Sequence, residues 1–160
     1  MVRLSDLSPA ESDALLAVPC PTFAGEPWQS GPPLAERRVA IVSTAGLHLR
    51  DDRPFALTYG DTAAVPGDYR VIPGDTGASG LVMSHVSVNF DRTGFQQDWN
   101  VVFPLDRLRE LAAAGTIGSV AAFHYSFMGA APPAQLEEPA RRLALLLAGD
   151  AVDAVLLVPV

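Results

Sequence analysis

Three histidines, His48, His85 and His124, are the side chains of this sequence best suited to proton transfer or metal ligation. Imidazole titrates nearest neutral pH of all side chains and binds metals through either ring nitrogen. Each histidine falls just past a run that reads as a strand: His48 after Val39-Ala40-Ile41-Val42, His85 after Leu81-Val82-Met83-Ser84, and His124 after Ile117 to Phe123. Open parallel sheets bind ligands outside the carboxyl ends of their strands, so if these strands are parallel neighbours the three imidazoles face one crevice. The competing reading is three unrelated loop histidines bonded to backbone carbonyls. Asp75, Asp91 and Asp98 lie near the same expected edge, where a carboxylate could orient a histidine or bind a cationic amine. More often an aspartate after glycine or beside asparagine is a turn former that caps backbone amides.

Recognised catalytic motifs are absent. Gly74, Gly77 and Gly80 recur at three-residue spacing but lack the Lys-Ser/Thr of a phosphate loop, and they do not match the dinucleotide fingerprint. There is no Cys-x-x-Cys, His-Glu-x-x-His or Gly-x-Ser-x-Gly. The single cysteine, Cys20, sits among prolines with no base beside it, which reads as a buried or incidental thiol. With one cysteine no internal disulfide can form, and a cytoplasmic location is expected.

The elements that must position these groups come next. At 160 residues, with 49% hydrophobic and 18% charged, the chain suits one folded domain rather than a disordered or fibrous polymer. The net charge of −7 opposes nucleic-acid binding. No apolar run approaches the roughly 20 residues of a membrane span, and the acidic N-terminal segment does not read as a secretion signal.

Ser8-Pro9-Ala10-Glu11 marks a helix start, with serine as cap and proline first, giving a lid or packing helix. From 19 to 38, five prolines and two glycines predict an extended arm, with Trp28 pinning it to the domain. Residues 1–37 thus form a helix and arm, and 38–160 the domain proper. Val39–Val42 and Ala154–Val158 are apolar without alternation, as in parallel strands buried on both faces. Tyr69–Ile72, Leu81–Ser84 and Ile117–Phe123 add further strands, with Gly60, Gly67, Gly74, Gly77 and Gly80 punctuating the loops. Helices are predicted over Pro104–Ala112 and Pro133–Ala148, each with apolar residues at helical spacing. Strands alternating with helices predict an α/β fold, a three-layer sandwich with a mainly parallel sheet, Rossmann-like or flavodoxin-like.

Taken in order, the segments Arg38–Leu49, Tyr69–Asp75, Ser84-His85, Asp98–Leu108 and His124-Tyr125-Ser126-Phe127-Met128-Gly129 resemble the selenoprotein B family of glycine, sarcosine, betaine and D-proline reductases. The resemblance spans residues 38–160. It implies an oxidoreductase component in which a selenocysteine, or a cysteine, attacks the substrate carbon next to a carboxylate and releases the amine, after which thiols regenerate the protein. The family's redox residue is expected just beyond a segment like Val155–Val160, where this sequence stops. Two origins are expected: a stop read at a selenocysteine codon, or a short paralogue lacking the nucleophile.

The resulting reading is reductive cleavage of a carbon–heteroatom bond in a small amino-acid-like substrate. His48, His85 and His124 form the catalytic set, and Thr44, Gly46, Asp75, Asp91 and Ser126 bind substrate. A thiol reductant or partner selenoprotein subunit is implied by the resemblance, and a homodimer is expected from apolar faces one domain leaves uncovered. The alternatives are a non-redox module binding a small molecule or metal, and an enzyme whose three histidines ligate a divalent metal.

Overall fold

A computed structural model describes residues 3–22, 25–55, 67–87 and 90–160; Gly60 and Asn89 lie outside them. Strand β1 (Arg38–Ser43) is the hub of the main sheet. Along one edge it pairs in parallel with β7 (Ala154–Val158), Val39 opposite Ala154 and Ser43 opposite Val158. Along the other it pairs in parallel first with β5 (Ser119–Val120) and then with β6 (Phe123–Phe127). Strand β3 (Tyr69–Pro73) closes that side, antiparallel to β6. The protein is therefore a mixed α/β chain with a mainly parallel sheet.

Two helices pack on the main sheet. Helix α3 (Leu105–Ala113) packs Leu105 and Leu108 against Val39 and Ile41. Helix α4 (Pro133–Gly149) brings Leu143, Leu136 and Leu147 to Tyr125, Phe127 and Val42. Successive strand residues point to opposite faces, so Val39 and Ile41 look one way and Val42 the other. Burying such apolar side chains contributes about 1.5–3 kcal/mol each and is what holds the helices to the sheet.

Several expectations are corrected here. The Ile117–Phe123 run is not one strand: it breaks into β5 and β6 around Ala121 and Ala122, and β6 continues to Phe127. An aspartate from the far end of α4 explains the break. The Asp150 carboxylate accepts hydrogen bonds from the amides of Ala122 (2.7 Å) and Phe123 (3.3 Å) and pairs with Arg38 at 2.6 Å. The Ala122 and Phe123 amides thus find a side-chain acceptor, while the Ala121 amide still donates to the Val39 carbonyl of β1. Burial acts to raise the Asp150 carboxyl, but its bonds from Arg38, Ala122 and Phe123 outweigh that and hold it below its ordinary value.

The Leu81–Ser84 run also leaves the main sheet. As β4 (Leu81–Met83) it pairs antiparallel with β2 (Leu47–Leu49) in a separate two-stranded sheet. A short helix α2 (Thr93–Gln97), absent from the sequence reading, lies ahead of α3. Helix α1 (Pro9–Leu16) starts as read, with the Ser8 amide donating to Glu11 and the Glu11 amide to Ser8 Oγ. It packs as no lid: none of its residues is buried, because its leucines do not share one face. Trp28 pins nothing either, being 89% exposed.

Candidate functional site

The carboxyl ends of β1, β6 and β7 converge on one rim, and backbone geometry draws it tight. The Thr44 amide donates to the Val158 carbonyl at 3.1 Å, and the Gly129 amide donates to the Thr44 carbonyl at 2.8 Å. Thr44 Oγ1 accepts from the Val160 amide at 2.8 Å and donates to the Val160 carbonyl at 3.2 Å, so one threonine clamps the exit of β7 at both polar groups. A Cβ on Gly129 would lie 2.7 Å from the Val160 carbonyl oxygen, so only glycine permits this approach.

Gly46 turns the chain from β1 into β2. Its φ of 66° is the left-handed conformation that glycine adopts freely. A Cβ there would meet Met128 Cε at 2.5 Å and the His85 amide nitrogen at 3.3 Å. The Gly46 amide donates to Phe127 O, and Gly46 O accepts from the Ser84 amide, which lays the Ser84–Val86 segment across the rim.

That segment carries His85, which is buried at 4% exposure. Its Nδ1 accepts from the Ser87 amide at 3.1 Å. The proton of the neutral ring therefore sits on Nε2, a buried atom turned toward the Val160 backbone. Phe90 tilts against the ring at 5.1 Å, and the Arg92 guanidinium donates to the His85 carbonyl. Burial lowers the His85 pKa; the nearby Val160 backbone acts to raise it, and the Arg92 charge lowers it further. The outcome is an uncharged imidazole presenting an N–H donor beside the end of β7.

His48 supports this arrangement. Its ring bonds the Leu49 carbonyl through Nδ1 at 2.7 Å, so Nδ1 carries a proton, and Nε2 meets the Ser84 hydroxyl at 2.8 Å. Both nitrogens are thereby engaged: Nδ1 holds the ring against its own strand, and Nε2 staples β2 to the residue before His85. Ser126, wholly buried, accepts from the Leu47 amide at 2.9 Å and fixes the start of β2 to β6.

His124 is elsewhere. It lies inside β6, opposite Ile72, and its Nδ1 accepts the Ile41 amide proton at 2.9 Å. The ring fills the ladder position that the bulge at Ala121 and Ala122 vacates, and it meets Phe103 edge to face at 5.8 Å. Burial, with a smaller contribution from the Arg109 charge, lowers its pKa to about 4.

Of the residues singled out in the sequence, the fold thus brings together Thr44, Gly46, His85 and, through Ser84, His48, with Ser126 directly beneath. Asp75 stands in the exposed turn after β3, at the sheet end opposite the rim, because β3 runs antiparallel to β6. Asp91 and Asp98 are exposed turn residues, accepting from the Thr93 and Asn100 amides at 2.8 and 2.9 Å. Cys20 is exposed in the arm rather than buried. Among the described residues no group of three His, Cys, Asp or Glu is arranged to hold a metal. The sequence reading missed Arg92, Gly129 and Asp150. The Asp150 latch has no local signal, since it joins positions more than a hundred residues apart.

A concavity of about 560 Å³ lies away from the rim, between α2 and the start of α3, lined by Leu81, Phe95, Asp98, Trp99, Asn100 and Arg107 among others. No histidine lines it.

A mainly parallel sheet with helices packed on it defines the chain as an α/β protein. Comparison with known sequences then places the chain: it belongs to the glycine/sarcosine/betaine reductase selenoprotein B family, whose sequence model matches residues 26–160. The match begins before residue 38 and so takes in part of the arm. The chain is also 36% identical, over 126 residues, to D-proline reductase subunit gamma of Acetoanaerobium sticklandii. That alignment covers 78% of this chain and 49% of the relative, so the chain spans about half the relative's length. No solved structure matches it. Among the described residues no helix is long and apolar enough to cross a membrane.

Proposed function

We propose that this chain forms the β1/β6/β7 rim of an amino-acid reductase and takes part in reductive cleavage of the carbon–nitrogen bond of a small amino acid, in the reducing environment of the cytoplasm. The supporting plan is a three-layer, flavodoxin-like sandwich with α3 and α4 as its outer layers. The observation that carries the reading is the buried Nε2–H of His85, turned toward the Val160 backbone at the end of β7.

A neutral imidazole N–H is a donor without charge. It suits an anion held at the rim, either the substrate carboxylate or a thiolate or selenolate. In the reaction, the chalcogenolate forms a bond to the substrate carbon as the carbon–nitrogen bond breaks. The amine leaves with the electron pair and takes up a proton. A thiol then attacks the carbon-bound sulfur or selenium, releasing the carbon to be protonated, and a dithiol donor reduces the resulting chalcogen–sulfur bond. The nucleophile is supplied by a partner subunit or by the family's longer chain. His85 holds the anion, His48 holds the segment bearing His85, and Thr44 and Gly46 shape the edge.

The test is calorimetric titration with D-proline, glycine, sarcosine and betaine. One of them should bind the chain, alone or with D-proline reductase partner subunits, and His85→Ala should weaken that binding at least tenfold while His124→Asn leaves it unchanged. Equal binding by both variants, or no binding in either setting, would refute the assignment.

A further inference from the structure

Strand β7 has the sequence of an interior strand and the position of an edge. Ala154-Val155-Leu156-Leu157-Val158 is apolar on both faces, the signature of a parallel strand buried between two layers. Yet among the described residues it is paired on one side only, with β1. Val155, Leu156 and Leu157 are 39%, 38% and 69% exposed, and alternation puts Leu156 on one face and its two neighbours on the other. The strand itself contains none of the lysines, prolines or bulges with which exposed edges are normally guarded. Beside it, α4 exposes Leu145 and Leu146 at 75% and 45%.

We infer that the free edge of β7, with the outer side of α4, docks a complementary polypeptide equivalent to the part of D-proline reductase subunit gamma that this chain does not match. Length argues for this occupant over a second copy. The matched region accounts for 49% of the relative, leaving about as much polypeptide again that must pack somewhere. An apolar edge continuous with a parallel sheet is where such a piece extends the sheet and covers both wet faces of β7. The inference rests on family membership and not on the reductive reading.

The experiment co-produces this chain, tagged, with a polypeptide comprising the unmatched part of the Acetoanaerobium sticklandii subunit. It also prepares the two joined as one fused chain. A one-to-one complex by light scattering is expected, with the outward amides of β7 exchanging hydrogen at least tenfold more slowly in the complex and in the fusion than in the chain alone. Leu157→Lys should weaken association at least tenfold, and Leu16→Lys on the exposed α1 should not. Unchanged exchange of β7 in the fusion, a homodimer of this chain formed through β7, or association indifferent to Leu157→Lys would overturn the inference. Because none of these readouts involves turnover, failure here is distinct from failure of the substrate assignment.

Discussion

Acidifying the protein from pH 7.5 to pH 5 should remove about 2 kcal/mol of stability through His124 alone. The ring is wholly buried, its Nδ1 is occupied by the Ile41 amide, and Nε2 has no partner, so a second proton would place an uncompensated charge in the core. Its pKa is lowered from 6.5 to about 4 in the folded protein, while the unfolded chain keeps the ordinary value. Between those limits the unfolded state binds the proton and the folded state does not. Stability is therefore full above about pH 6.5 and falls as pH drops toward 4. At about 1.4 kcal/mol per pKa unit the full loss is about 3 kcal/mol, of which about 2 is reached by pH 5. The assay is urea unfolding of the wild type and His124→Asn at both pH values. Asparagine Oδ1 can still accept from Ile41, so the variant carries a pH-independent cavity cost of about 1–3 kcal/mol and lacks the titrating ring. The gap between the two proteins should shrink by about 2 kcal/mol on acidification. An unchanged gap, or an NMR titration of the His124 ring with a midpoint near 6.5, would show that the ring is not buried as described.

Two further outcomes follow from the same geometry. Asp150→Asn keeps one acceptor oxygen but loses the charge-assisted bonds from Arg38, Ala122 and Phe123. It should lower stability by about 2 kcal/mol, read as a fall of about 4–8 °C in melting temperature, with hydrogen exchange fastest at Ala122 and Phe123. Gly129→Ala should push the Val160 carbonyl away from Thr44 because the added Cβ begins 2.7 Å from that oxygen. NMR shifts should concentrate at Thr44, His85 and Val160 while α3 is undisturbed, and a variant with unchanged His85 signals would count against the rim as drawn.

The parts of the fold legible in the sequence are those whose stabilising contacts repeat locally. Leu105 and Leu108 in α3, and Leu136, Leu143 and Leu147 in α4, announce a helix by spacing alone, and the unalternating runs of β1 and β7 announce strands. A short piece escaped: β2 has three residues, too few for a period to register, so the partner that draws the predicted Leu81 strand out of the main sheet was not seen. The His124 expectation failed for a related reason. Apolar content merges Ile117 to Phe123 into one strand, whereas the bulge that divides them depends on Asp150, which pattern cannot see.

For the site, the sequence by itself determined the inventory: neutral-range imidazoles, small residues after β1, and family membership carried by ordered segments across the domain. It also determined that β7 is built to be covered on both faces. Only the tertiary structure decided which of those groups meet. Strand direction and register set which end of the sheet a loop occupies, and they separate Asp75 and His124 from Thr44, Gly46 and His85. The physical reason is that pairing across the sheet joins residues far apart along the chain. Val160 reaches Thr44 across 116 positions, an encounter settled by the fold's packing and by no local preference of either residue.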